Sequence, residues 1–290
     1  MEKNINSEKA TLLLYCPDTK GIVLAISEFI FKNGGNVIDL EQHLDIPTKT
    51  FFMRAHWDLN EFSIPKDKIK EYFKTLIAEK YQMTWSIQLS EEKPKMALFV
   101  TKLTHCLYDI LGRWKSNDWQ VDIPVIISNH ENLRPIADQF GVKFYYLPIT
   151  KENKEQQEVK QLQILNDNDI DFVVLARYMQ IISPEFIDQY ENKIINIHHS
   201  FLPAFPGAKP YHSAFERGVK IIGATSHYVT NDLDQGPIIE QDVVRISHKN
   251  KVGDLIRKGQ DLEKLVLSRA IFNHIEQKVL VFNNKTVVFS

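Results

Sequence analysis

MALFVTKLTHCLYDILGRWKSNDWQVDIPVIIS, residues 96–128, runs from an apolar, strand-like segment through an amphipathic stretch into a second apolar segment. The pattern continues with a helix near LRPIADQF (133–140), the strand VKFYYLP (142–148), the helix KEQQEVKQLQILND (154–167) and the strand DFVVLA (171–176). Short apolar runs separated by helical periods predict a mostly parallel open sheet of Rossmann type, covered by helices on both faces. In such sheets ligands collect beyond the carboxyl ends of the strands.

Upstream, ATLLLYC (10–16), IVLAISEFIFKN (22–33), NVIDLEQHLD (36–45), FFMRAHWDL (51–59), IKEYFKTLIAEKY (69–81) and MTWSIQL (83–89) read as strand, helix, strand, strand, helix, strand. This βαββαβ order is the ferredoxin-like arrangement. Gly34 and Gly35 stop the first helix, and Pro47 with its Thr and Lys neighbours turns the chain between the middle strands. The polar run from Ser90 to Lys95 reads as a linker. The expected protein is α/β with two domains, residues 1–89 and 96–290, joined by 90–95.

A chain of 290 residues with 43% apolar residues is long enough to bury two cores. Its net charge of −2 leaves no basic excess for a phosphate backbone, so nucleic acid is not an expected partner. Apolar runs such as Phe172–Ala176 and Val279–Phe282 fall far below the roughly 20 residues that span a bilayer. The start MEKNINSEK lacks a signal-peptide core, and a cytoplasmic protein without membrane contact is expected. Cys16 and Cys106 are too far apart for a disulfide framework and read as reduced, buried thiols.

The densest set of proton-handling groups lies in IINIHHSFLPAFPGAKPYHSAFERGVKIIGATSHYVTNDLDQGPIIE, residues 194–240, with four histidines. If 194–198 is a strand, its period of two puts Asn196 and His198 on one face and turns His199 away. Pro203, Pro206 and Pro210 stiffen the following loop. A second strand, GATSHYV (223–229), leads into a turn that would carry Asp232 or Asp234 toward the same pocket. Each residue also has a plain structural reading: Asn196 as a sheet-end cap, His198 as a satisfied imidazole, Asp234 as a turn carboxylate. Spacing alone does not choose between these. A zinc site of His198, His212 and Asp234 has neither HExxH nor HxH spacing behind it, so no metal is expected. There is also no Gly-x-Ser-x-Gly elbow and no P-loop.

Three stretches, NIHHSFLPAFPG (196–207), HYVTNDLDQGPIIEQ (227–241) and LARYMQIIS (175–183), resemble the folate-dependent formyltransferase fold. That fold has an Asn-Ile-His-x-Ser-x-Leu-Pro loop and an Asp closing a T-x-x-L-D-x-G-P turn. Within it the chain is similar to the formyltetrahydrofolate deformylase family, hydrolases that release formate from 10-formyltetrahydrofolate. The HHS loop, RYMQ (177–180) and IPVIISNH (123–130) carry this likeness, as does CPDTKGIVLAISEFIFKNGGNVIDLEQHLD (16–45), which resembles an ACT domain. The likeness covers nearly the whole chain. Glycinamide ribonucleotide formyltransferases differ at one place: their Gly- and Ser-rich turn after the first strand cradles a phosphate, whereas Thr101–Cys106 here contains no glycine. Lys102 could still attract an anion, but water becomes the implied acceptor.

The resemblance implies that the pterin rests against Leu175, Ala176, Arg177, Tyr178, Met179 and Gln180. Asn196 and His198 would stabilise the oxyanion; Asp234 would hold the attacking water and set the protonation of His198. His227 either orders Asp234 or bound water, or is a strand histidine tied to a backbone carbonyl. No cofactor or metal is implied, since the folate is the substrate. In the ACT-like unit Asp18, Gly21, Asn36 and Gln42 would bind an amino-acid effector, glycine or methionine, in a homodimer or homotetramer. The formate would serve purine biosynthesis and balance the one-carbon pools. The alternatives are a formyltransferase acting on an amine such as glycinamide ribonucleotide, and a catalytically silent folate or amino-acid sensor.

Overall fold

A computed structural model describes residues 8–203 and 210–290. Pro206 and the rest of 204–209 lie outside the described residues, as does most of the polar start. The chain divides into two compact units. The first holds residues up to 93 and takes back 277–280 and 287–290, while the second holds 94–276 and 281–286. The sequence pattern alone places all of 96–290 in the second unit. Nothing local in the C-terminal segment marks that return, because the partners of those residues lie more than 200 positions upstream.

The first unit runs β1 (Lys9–Pro17), α1 (Ile22–Lys32), β2 (Asn36–Asp45), β3 (Thr50–Asp58), α2 (Lys66–Phe73) and β4 (Thr84–Leu89). A single π turn, Lys74–Ala78, extends α2. The sheet order is β2-β3-β1-β4 and every pairing is antiparallel. One sheet face buries Leu12, Leu14, Met53 and Trp57 against Ile26 and Phe73 of the helices. This is the βαββαβ arrangement expected from the alternation of the segments.

The second unit begins at β5 (Lys95–Val100), so Lys95, expected in the linker, already pairs with Asp122. It continues through α3 (His105–Lys115), β6 (Asp122–Ser128), α4 (Arg134–Phe140), β7 (Lys143–Tyr146), α5 (Lys154–Asp167), β8 (Phe172–Ala176) and α6 (Pro184–Gln189). Then come β9 (Ile194–His198), α7 (Pro210–Arg217), β10 (Ile221–Tyr228), β11 (Ile238–Arg245), the long α8 (Val252–Ile275), and a hairpin of β12 (Val279–Phe282) and β13 (Lys285–Val288), of which only 281–286 belong to this unit. Seven strands lie in the order β11-β10-β9-β8-β5-β6-β7. Those from β9 to β7 pair in parallel; β10 and β11 are antiparallel. Met96 to Val100 are wholly buried, which explains why β5 is an unbroken apolar run: helices cover it on both faces. The chain leaves β5 toward β6 and β7, then returns to place β8 on the other side. The switch point of the sheet therefore lies between the carboxyl ends of β5 and β8, where such sheets open a crevice.

Candidate active site

β8 and β9 end side by side, and their carboxyl ends open into a cavity of about 660 Å³. Its walls include Asn196, His198, His227, Asp234, Leu175 and Arg177. In the antiparallel pairing of β9 with β10, His227 lies opposite Asn196. The pairing of β10 with β11 shifts register at Ser226/His227, a bulge of the kind that re-aims a side chain at a sheet edge. His227 Nδ1 lies 2.9 Å from the carbonyl of Tyr228, which can only accept, so Nδ1 carries the proton. Nε2 of the neutral ring is then an acceptor, 3.2 Å from Asn196 Nδ2, which donates to it. One nitrogen of His227 is thus tied to the backbone, and the other meets Asn196 at 3.2 Å, closer than Asp234 Oδ1 at 3.7 Å.

Asp234 enters on the turn after β10. It adopts φ 56, a left-handed conformation that Asp tolerates better than most residues. The turn is closed by the Tyr228 amide donating to the Pro237 carbonyl at 2.9 Å and the Gln235 amide donating to the Asp232 carbonyl at 3.2 Å. A Cβ on Gly236 would stand 1.8 Å from the Tyr228 carbonyl oxygen, so only glycine lets the turn close this tightly. Asp234 Oδ2 lies 3.3 Å from His198 Nδ1 and Oδ1 lies 3.7 Å from His227 Nε2. Hydrogen bonding to His198 above all holds the Asp234 carboxyl well below the usual carboxylate range. It is therefore an anion that favours a proton on His198 Nδ1. His198 Nε2 is buried and has no hydrogen-bond partner among the described residues. Asp232 is exposed and does not line the cavity.

Leu175, Arg177, Tyr178, Met179 and Gln180 line the same cavity. Ala176, expected with them, does not: it is fully buried inside β8. The Tyr178 hydroxyl is already used, accepting from Gln161 Nε2 at 3.1 Å, and its ring meets Phe99 edge-on. Thr101, at the end of β5, accepts from the Met179 amide at 3.1 Å and donates to Asn129 at 3.1 Å, which fixes this segment. Thr225 and Gln241 do the same for the loop after β9. Thr225 Oγ1 accepts from the Leu202 amide at 3.0 Å, and Gln241 Nε2 donates to Thr225 Oγ1 at 2.9 Å. Sequence reasoning missed these positioning residues; a Thr ending an otherwise apolar strand was the available signal for Thr101.

One expectation about the histidines changes. His199 does not turn away from His198: the ring centroids are 5.2 Å apart, because residue 199 is the first beyond β9 and the strand alternation no longer governs it. His212 is exposed on α7 and does not line the cavity, so it cannot join His198 and Asp234 around a metal.

Behind the cavity Glu263 of α8 is 1% exposed. Its Oε1 accepts from the Tyr211 hydroxyl at 2.6 Å, His105 Nε2 lies 2.8 Å from Oε2, and Arg177 Nε lies 3.4 Å from Oε2. Burial opposes the charge on Glu263, but His105, Arg177 and Tyr211 outweigh it and keep the carboxyl below its ordinary value. Ligand-type atoms of His105, Cys106 and Glu263 lie within 4.8 Å of one another. The donor set suits a divalent ion poorly, since a guanidinium shares the same carboxylate and burial pushes the Cys106 thiol well up. In the first unit Asp18, Gly21 and Gln42 line a separate cavity of about 490 Å³; Asn36, exposed at the start of β2, does not.

The fold and the site together define a member of the formyl transferase family, whose model matches residues 94–271. A formyltetrahydrofolate deformylase of Synechocystis sp. is 55% identical over 281 residues, 97% of this chain and 98% of that protein. The crystal structure of a formyltetrahydrofolate deformylase from Pseudomonas syringae pv. tomato superposes with a TM-score of 0.96 at 42% identity, covering 99% of this chain and 96% of that one. More distantly, glycinamide ribonucleotide transformylase 1 from Symbiobacterium toebii gives a TM-score of 0.64 at 26% identity, covering 68% of this chain and 95% of that one. The chain belongs to the formyltetrahydrofolate deformylases.

Proposed function

We propose that this enzyme hydrolyses 10-formyltetrahydrofolate to tetrahydrofolate and formate, with the formyl group set between Asn196 and His198. One observation carries the reading: Asn196, His198 and Asp234 converge in a single cavity while His198 Nε2 has no hydrogen-bond partner among the described residues. The exposed apolar side chains of Met179, Ile181 and Leu233 rim that cavity and suit the flat ring system of a folate. Asp234 faces Nδ1–H of His198, and with the ring doubly protonated, as imidazolium, Nε2–H donates to the formyl oxygen as it becomes an oxyanion, joined by the Asn196 amide. Water attacks the formyl carbon, the bond from that carbon to N10 breaks, and N10 receives a proton. The strongly acidic character of Asp234 suits it to orienting the water and the imidazole rather than to removing a proton outright. On this account the reaction uses only these side chains, with no cofactor.

The first unit is read as an ACT domain that binds glycine or methionine in the cavity lined by Asp18, Gly21 and Gln42. Its β2 is an edge strand with exposed Val37, Ile38 and Leu44, which favours pairing with a second copy in a homodimer or homotetramer. Among the described residues no helix is long and apolar enough to cross a membrane. Both cysteines are free and buried, in keeping with a reducing cytoplasm, and the formate released would feed purine biosynthesis.

The deciding experiment incubates the enzyme with 10-formyltetrahydrofolate and no amine acceptor. Formate and tetrahydrofolate in equal amounts over many turnovers are expected; tight folate binding with no release would overturn the reading in favour of a sensor.

A further inference from the structure

The crevice at the switch point between β5 and β8 is where an open α/β sheet receives ligands, and the N-terminus of a helix that opens there favours an anion. Here α3 begins at His105, and the ring of that residue is bound to the carboxylate of Glu263. Arg177, the first residue after β8, lines the cavity, and its Nε lies 3.4 Å from Oε2 of the same carboxylate, the oxygen that His105 also meets. Its side chain is only 10% exposed. Of this cluster Arg177 is the member that faces the cavity, while the carboxylate that meets its Nε lies outside the lining.

Two further observations mark this as a built feature. Arg177 has φ 64, a left-handed conformation that costs an arginine and suits a glycine, so the side chain is retained against the preference of the backbone. Gly259 of α8 would, with a Cβ, meet the Tyr211 hydroxyl at 2.1 Å; its bareness is what lets Tyr211 reach Glu263 one turn further on.

We infer that Arg177, held by Glu263, closes the acceptor side of the formyl cavity, so that water but no amine reaches the formyl carbon. The inference rests on the hydrolase reading and makes Arg177 a determinant of acceptor specificity and Glu263 the residue that positions it. In either reaction the bond from the formyl carbon to N10 breaks and N10 gains a proton from the nucleophile. The carbon bonds to oxygen with water and to nitrogen with a primary amine, giving formate or an N-formyl amide.

The test is a partition measurement: enzyme and 10-formyltetrahydrofolate are incubated with excess glycinamide, and formate and N-formylglycinamide are quantified by mass spectrometry. Wild type is expected to give formate alone. Arg177→Gly, which suits the local backbone, should raise the N-formyl share by about tenfold or more over the uncatalysed background, the scale on which pocket bulk controls specificity. Glu263→Gln, of the same size, should raise it less. Formate alone from both variants, or N-formylglycinamide from wild type, would overturn the inference. A wild type that releases no formate even without glycinamide would instead sink the hydrolase reading.

Discussion

His227 stands directly opposite Asn196 across the β9–β10 pair, with its Nε2 3.2 Å from the Asn196 amide nitrogen. That bond fixes which way the amide faces. His227→Gln should lower kcat by up to about 10²-fold through misorientation of Asn196, with little change in folate affinity. Turnover equal to wild type, measured as formate release, would show that Asn196 needs no such support.

Asp234→Asn keeps the shape of the turn and removes the charge beside His198. Formate release should fall by about 10²- to 10⁴-fold while equilibrium folate binding persists. A variant that turns over normally would exclude Asp234 from the chemistry.

Gly236→Ala tests the turn that carries Asp234. With only 1.8 Å between the new Cβ and the Tyr228 carbonyl, the backbone must move, at a cost of about 1–3 kcal/mol. Denaturant unfolding should show that loss, and formate release should fall further than stability does. Unchanged activity would mean the Asp234 position tolerates displacement.

His274 links stability to pH. Burial, reinforced by Lys193, lowers its pKa to about 4, and its Nδ1, 2.8 Å from the Tyr228 hydroxyl, accepts from it as a neutral ring. The unfolded chain binds this proton more readily, near pH 6.5, so stability is full above that value and is lost as pH falls toward 4. A shift of that size corresponds to about 3 kcal/mol. The thermal midpoint should drop across this interval, and His274→Gln should flatten the drop. An equally steep drop in the variant would assign it to other groups.

EDTA should leave formate release unchanged, because the proposed mechanism draws only on side chains. Activity lost to the chelator and restored by zinc would move attention to His105, Cys106 and Glu263.

Much of this was readable from local pattern. Five residues of β9 obey a period of two, so Asn196 and His198 could be placed together from sequence, and the argument failed at His199, where the strand ends. The continuous apolar runs at 96–100 and 172–176 announced buried parallel strands. Glu263 was not legible: it is 158 residues from His105, on a helix face whose neighbours Asp261 and Lys264 read as an ordinary solvated ion pair. Its partners His105, Tyr211 and Arg177 come from three separate parts of the chain, and no window of sequence contains them. Ala176 and Asn36 show the converse limit, since adjacency to site residues in the chain does not bring a side chain to the cavity.

Residues 277–280 and 287–290 complete the first unit: Arg54 Nε donates to the Gln277 carbonyl at 3.0 Å, and the Ser290 hydroxyl donates to Glu41 at 2.7 Å. A ribosome delivers Arg54 and Glu41 long before their partners. The unit made first is therefore finished last, and stays short of its closing contacts while the whole of the second unit is being synthesised.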